Sequence, residues 1–200
     1  MIVVSASPEG IQRAADAIRQ GEVVAYPTET VYGLGVDPFS EDALARLAAV
    51  KGRESPKAVL LVIGDAAQLD GLVTSVSPLA RAYMDAFWPG PLSLLFPRSP
   101  ALPEALTGGS DKVCVRCPSS TVARGLCLAV GGPVTSTSAN RTGGEPASHL
   151  AQVNLDNVAV GVDGGALPAR QPSTVYDPDE NVIHRPGAIG AEQLEAIRPS

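Results

Sequence analysis

The run Ala58–Ile63 is apolar at every position. Side chains alternate across a strand, so a strand of this composition needs cover on both faces. That requirement excludes a half-solvated sheet and points to helices packed on either side of it. The short run Val23-Val24-Ala25-Tyr26 makes the same demand. The helices are legible from their starts. Ser7-Pro8-Glu9 supplies a capping hydroxyl, a proline in the first turn and an acid near the positive end, and Ile11, Ala14, Ala15 and Ile18 recur at helical spacing until Gly21. Ser40 caps a second helix with Leu44, Leu47 and Ala48 on its apolar stripe, and Ser77-Pro78 opens a third that runs to Trp88. Further strands are expected at Leu92–Phe96, Val113–Arg116, Val134–Thr137, Val158–Val162, Thr174–Tyr176 and Val182–His184. Further helices are expected at Thr121–Val130 and about Ala191–Ile197. Strict βαβ alternation is missing, so the expectation is one α/β domain over residues 1–200 with a mixed, twisted sheet.

Bulk composition narrows the function. A 44% hydrophobic content is that of a globular chain, and the net charge of -6 argues against non-specific nucleic-acid binding by the whole surface while leaving room for a local basic cleft. The N-terminus lacks the basic start and long apolar core of a secretory leader, and no stretch of ~18 apolar residues suggests a membrane span. With three cysteines and no leader, reduced thiols in a cytoplasm are expected.

Leaving the Val23–Tyr26 strand, the chain enters Pro27-Thr-Glu-Thr-Val-Tyr-Gly-Leu-Gly35, dense in hydroxyls and glycines. Loops at strand ends are where open α/β sheets hold ligands. Lys51, Arg53 and Lys57 place three cations within seven residues at the mouth of the next strand. Such a cluster either caps a helix end or receives a polyanion. Ser136, Thr137, Ser138 and Asn140 crowd the end of another strand; they either satisfy their own turn or donate to a phosphate, carboxylate or ribose. Arg116 sits beside apolar Val115, and Arg185 stands late in the chain before Pro186-Gly187; each is either paired in the core or lining a cleft. Cys114-Val-Arg-Cys117 is formally CxxC, but a second pair is missing and residues three apart on a strand face opposite ways, so buried structural thiols are expected and no protein metal site. Phosphate-loop, GxGxxG and GxSxG motifs are absent. Together these elements describe a cleft with cations at its rim and neutral donors on its wall, suited to a small anion plus a nucleotide.

PTETVYGLG, the KxR of Lys51 and Arg53, the SxN of Ser138 and Asn140, and STVYD followed by RPGAI resemble the YrdC-like family in order and spacing from about residue 10 to residue 190. The short length resembles the bacterial TsaC type, threonylcarbamoyl-AMP synthases, and ETVYGLG is closer to that type than to the YciO paralogues. The resemblance implies an open α/β twisted mixed sheet with a concave, basic cavity. It implies that L-threonine, bicarbonate and ATP, the last with Mg²⁺, give L-threonylcarbamoyladenylate and pyrophosphate, and that a separate transferase complex then modifies tRNA. By the same resemblance Thr30, Arg116, Ser136, Ser173 and Thr174 would hold threonine. Lys51 and Arg53 would stabilise developing charge. Arg53, Lys57, Ser138, Asn140 and Arg185 would meet the nucleotide. Val62, Lys112 and Ala147 stand where some longer relatives carry His, Thr and Ser. The rival readings are a YciO-like paralogue, a binding protein with weak affinity for tRNA or double-stranded RNA, and a carbamoyl-transfer domain of the hydrogenase-maturation type.

Overall fold

Ten strands form one mixed sheet, in the order β1-β8-β2-β3-β7-β4-β6-β5-β9-β10. This computed structural model describes residues 1–52, 57–168 and 170–198. The strands are β1 (Ile2–Ser5), β2 (Val23–Pro27), β3 (Tyr32–Gly35), β4 (Leu60–Val62), β5 (Leu92–Pro97), β6 (Lys112–Arg116), β7 (Val134–Ser138), β8 (Val158–Asp163), β9 (Thr174–Asp177) and β10 (Val182–Arg185). The helices are α1 (Pro8–Arg19), α2 (Glu41–Lys51), α3 (Pro78–Phe87), α4 (Glu104–Thr107), α5 (Thr121–Val130) and α6 (Ala191–Glu195). β1 runs parallel to β8 and β8 to β2, whereas β2–β3, β3–β7 and β7–β4 are antiparallel.

The helix starts follow from their caps. Ser7, Ser40, Ser77 and Ser120 each accept a hydrogen bond from the backbone amide three residues on, an arrangement worth about 1 kcal/mol per cap. α2 and α5 end where Gly52 and Gly131 turn left-handed, as helix-terminating glycines do.

Strand alternation sorts the side chains into two layers. Val24 and Tyr26 of β2 join Val62, Val134, Val160 and Val162 beneath α1 and α5. Val23, Ala25, Leu34, Leu61, Leu94 and Val115 point to the other face, where α2, α3 and α6 pack. Both faces of β4 are therefore covered: Leu61 lies in one layer and Val62, fully buried, in the other. β5, β6 and β9 contribute nothing to the layer under α1 and α5. On that face the sheet continues beyond the helices.

Two strands depart from the sequence expectation. β1 is an exposed edge strand paired to β8 from the far end of the chain. β3 lies inside the segment expected to be loop. Gly33 and Gly35 hide it, because glycine weakens strands and here answers a close approach instead. A Cβ on Gly35 would lie 2.5 Å from Val134 Cγ1 and 2.8 Å from Tyr26 Cε1, and one on Gly33 would lie 3.2 Å from Ser136 Oγ. Among the described residues, no helix is long and apolar enough to cross a membrane.

Candidate functional site

Where the helical layer stops, the uncovered face of the sheet forms a concave cavity of about 850 Å³. Alternation decides its wall. Val113 and Val115 turn into the core, which leaves Cys114 and Arg116 on the open face of β6. The same rule puts Ser136 and Ser138 of β7, Leu60 of β4, Val175 of β9 and the preceding Ser173 on that wall. Thr28 and Thr30 close it from the β2–β3 loop, and Arg185 from the end of β10. Among the described residues, the lining holds three arginines, Arg116, Arg170 and Arg185, and no Asp or Glu.

The loop after β2 is held by its own hydroxyl. Thr28 Oγ1 accepts from the amides of Thr30 and Val31 at 3.2 Å and lies 2.6 Å from the Val31 carbonyl. That carbonyl takes the Thr28 proton and the two amides take its lone pairs, and the Thr30 hydroxyl lies 3.0 Å away. Ser120 Oγ, the cap of α5, also donates to the Pro27 carbonyl at 3.0 Å.

Arg116 is both paired and cavity-lining. Its Nε donates to Gly90 O at 3.1 Å and its Nη2 lies 2.5 Å from Glu29 Oε2, which leaves Nη1 for a ligand. Burial alone would raise the Glu29 carboxyl, but the adjacent Arg116 charge and the hydrogen bond from the Ser119 amide outweigh it and hold the group below the usual carboxylate range. Arg185 is set by Ser173. Its Nε and Nη2 donate to the Ser173 carbonyl at 3.1 and 2.9 Å, and Nη2 reaches Ser173 Oγ at 2.9 Å. Burial, against a counteracting Cys114, leaves the Arg185 pKa below its ordinary value. Gly187 follows because the chain folds directly onto residues 172–174; its Cβ would lie 2.3 Å from Pro172 O.

The structure thus brings Thr30, Arg116, Ser136, Ser138, Ser173 and Arg185 to one cavity. Other expected site residues lie elsewhere. Thr174 turns away from the wall, as the neighbour of Ser173 on a strand must, and its hydroxyl both donates to and accepts from the Ile189 backbone at 2.8 and 2.9 Å. Lys51, 2% exposed, points Nζ at the carbonyls of Ser138 and Asn140, 2.5 and 2.6 Å away, and is absent from the lining. Asn140 folds its own turn: Nδ2 donates to Arg141 O and Gly144 O, each at 2.7 Å. Lys57 is exposed beside the wall residue Ala58. Arg53 lies outside the described residues.

Sequence reasoning missed Arg170, Ser148, His184 and Cys114 on the wall. Ser148 directly follows the buried Ala147. Cys114 is half-buried rather than a core thiol, and burial pushes its pKa up to about 12 against the pull of Arg185 and Arg116. Cys117 faces the opposite layer, in line with strand alternation, and its thiol lies 3.8 Å from Gly64 O. With the wall residue His184, Asp177 and Glu180 complete a trio of metal-ligand type, but the Lys112 ammonium already bridges the two carboxylates.

Comparison with known proteins identifies the family. The Sua5/YciO/YrdC family, described as "Telomere recombination", matches residues 16–187. A threonylcarbamoyl-AMP synthase from Cellvibrio japonicus is 38% identical over 192 residues, covering 93% of this chain and all of that protein. One from Thiobacillus denitrificans is 42% identical, covering 86% of this chain and 93% of its own. The crystal structure of Pyrococcus abyssi Sua5 complexed with L-threonine superimposes with a TM-score of 0.90 at 34% identity, over 98% of this chain and 59% of that longer one. Escherichia coli YciO gives 0.84 at 25% identity, over 96% of this chain and 97% of its own. From the motifs, the fold and these relatives, the chain belongs to the Sua5/YciO/YrdC family.

Proposed function

We propose that this chain is a threonylcarbamoyl-AMP synthase, which condenses L-threonine, bicarbonate and ATP into L-threonylcarbamoyladenylate with release of pyrophosphate and water. The observation that carries the reading is the cavity itself. Arginines from separate parts of the chain and hydroxyls from β7, the β2–β3 loop and the start of β9 converge on about 850 Å³, room for an amino acid and a nucleotide together.

The chemistry asks for what this wall offers. The threonine amine combines with bicarbonate to give a carbamate, losing water. A carbamate oxygen then attacks the α-phosphorus of ATP in line, and pyrophosphate departs with the electron pair of the broken P–O bond. Such a transfer depends on positioning and charge neutralisation, and no nucleophilic side chain takes part. The proposed amino-acid end is Arg116 with Thr30, Ser136 and Ser173: guanidinium for the carboxylate, hydroxyls for the amine and side chain. The proposed nucleotide end is Ser138 and Arg185, with Lys57 at the rim and the cavity-lining Arg170 and Ser148 beside them. Lys51 acts here through the loop it clamps. Its two carbonyl bonds fix Ser138 and Asn140, and its charge remains close to that end of the site. Mg²⁺ enters this reading with the nucleotide substrate, since among the described residues the lining offers it no carboxylate. This assigns the enzyme to the nucleotidyltransferases, acting in the cytoplasm ahead of a tRNA threonylcarbamoyl transferase complex.

The test is pyrophosphate release from ATP and Mg²⁺ with and without each co-substrate. Release that needs both L-threonine and bicarbonate is the expected result. Release that ignores threonine, from folded protein that binds ATP, refutes the reading and favours a YciO-like activity.

A further inference from the structure

Within the motif loop, Thr28 and Thr30 line the cavity and Glu29 between them does not. Its carboxylate turns the other way and is almost fully enclosed. Oε1 accepts from the Ser119 amide at 3.0 Å, and Oε2 lies 2.5 Å from Arg116 Nη2, with the two side chains only 9% and 3% exposed. Among the described residues, Arg116 is the only cavity-lining arginine with a carboxylate partner. Exposed ion pairs hold long side chains loosely, but here the anion is anchored to backbone and the cation is pinned at Nε by Gly90 O. The loop bearing the two threonines therefore meets the segment 116–120 at three points, the Ser120–Pro27 bond, the Glu29–Arg116 pair and the Glu29–Ser119 bond. The second of these runs through the guanidinium itself.

We propose that Glu29 is the positioning residue of the amino-acid subsite: it fixes the Arg116 guanidinium relative to the hydroxyls of Thr28 and Thr30, and so sets affinity for the amino acid without touching it. This rests on the threonine reading above. A guanidinium matches a carboxylate only when its plane is held, because two nitrogens must meet two oxygens at once. Without Glu29 the group keeps one fixed bond, at Nε, and the loop keeps only its tie to Ser120. Ser138 and Arg185 stand on β7 and β10, which Glu29 does not contact, so the nucleotide end is left in place.

Glu29→Asp separates position from charge. It keeps the anion and withdraws it by one carbon–carbon bond, about 1.5 Å. The expected result is a KM for L-threonine raised about tenfold, with kcat and the KM for ATP within about twofold of the wild type. Glu29→Gln, which keeps the length and removes the charge, should move the same constant in the same direction. In an Arg116→Lys background, which has no fork to orient, Glu29→Asp should add less than about twofold. The unchanged KM for ATP reports that each variant is folded. An unchanged threonine KM, an equal rise in both KM values, or a full effect in the Arg116→Lys background overturns the proposal. A wild type indifferent to threonine overturns the reaction reading with it; a threonine-dependent wild type with an unresponsive Glu29→Asp overturns the positioning role alone.

Discussion

Replacing Gly187 with alanine would place a methyl group where backbone already lies. The added Cβ would sit 2.3 Å from Pro172 O and 2.6 Å from both Ser173 C and Thr174 N. Carbon contacts settle near 3.5 Å, so one segment must retreat by about 1 Å. All three opposing atoms are main chain, and none can rotate aside. Gly187 is not among the glycines with positive φ, so close approach alone demands it. The retreat strains the Ala188–Pro172 hydrogen bond, 2.9 Å, and the paired bonds between Thr174 Oγ1 and Ile189. Overpacking costs about 1–3 kcal/mol and each weakened hydrogen bond up to about 1 kcal/mol, so the expected loss is about 3 kcal/mol. The same shift carries Ser173, which touches both Ser93 Oγ and Arg185 Nη2 at 2.9 Å, out of register with the wall. Misplacement by 1 Å can cost about 10²-fold, and kcat/KM for L-threonine should fall on that order. Urea unfolding and pyrophosphate release read the two effects separately. A Gly187→Ala protein within about 0.5 kcal/mol of wild-type stability and with unchanged kinetics would refute the packing argument.

Thr174→Val removes both bonds to Ile189 and should lower unfolding free energy by about 1–3 kcal/mol while leaving the threonine KM alone; Ser173→Ala, which also strips the buried Ser93 hydroxyl of its partner, should lower stability and raise the threonine KM together. Glu29→Gln should destabilise the protein by about 2 kcal/mol near pH 7, less than a fully buried pair because Arg116 also borders the cavity. The native Glu29 carboxyl lies below its ordinary 4.5, so its contribution is complete above that pH and fades as pH falls through the lowered native value. Wild-type and Glu29→Gln urea curves should therefore converge in acid, and a constant gap would contradict the assignment. With its pKa near 12, Cys114 should react with iodoacetamide slowly at pH 7.5 and progressively faster toward pH 10, and ATP with threonine should protect it; mass spectrometry of the labelled peptide checks both.

What the sequence disclosed follows the range of the interactions concerned. Helix starts were legible because a cap and its amide lie three residues apart, as at Ser7, Ser40, Ser77 and Ser120. β3 was hidden because the reason for its glycines lies in Val134 and Ser136, about a hundred positions on, and because glycine reads locally as turn. Lys51 and Asn140 show the same limit at the site. A lysine before a strand and an asparagine in a turn look equally apt for a phosphate. Only the fold reveals that Lys51 reaches carbonyls 87 and 89 residues away and that Asn140 closes its own loop. Thr174 is different: strand alternation alone separates it from Ser173, so its direction follows from its place in the strand.

That same alternation explains why a chain of net charge -6 can gather cations in one place. On β6 and β9 the residues facing the core include Val113, Val115 and Tyr176, whose hydroxyl is bonded to Asn181 Oδ1 at 2.8 Å. Their neighbours Cys114, Arg116 and Val175 face outward where α1 and α5 no longer cover the sheet. An arginine there would be untenable under a helix and unremarkable at a convex surface. At a concave wall it is partly desolvated, and a fixed carboxylate or an incoming anion must balance it. Glu29 supplies the first for Arg116. Arg185 has the Ser173 carbonyl and hydroxyl as neutral partners, and no carboxylate among the described residues. The cavity is therefore graded, neutralised at the proposed amino-acid end and net positive at the proposed nucleotide end. A zwitterion suits the first end and a polyphosphate the second. Raising ionic strength should consequently increase the KM for ATP more steeply than that for threonine, and parallel increases in initial-rate assays would contradict the grading.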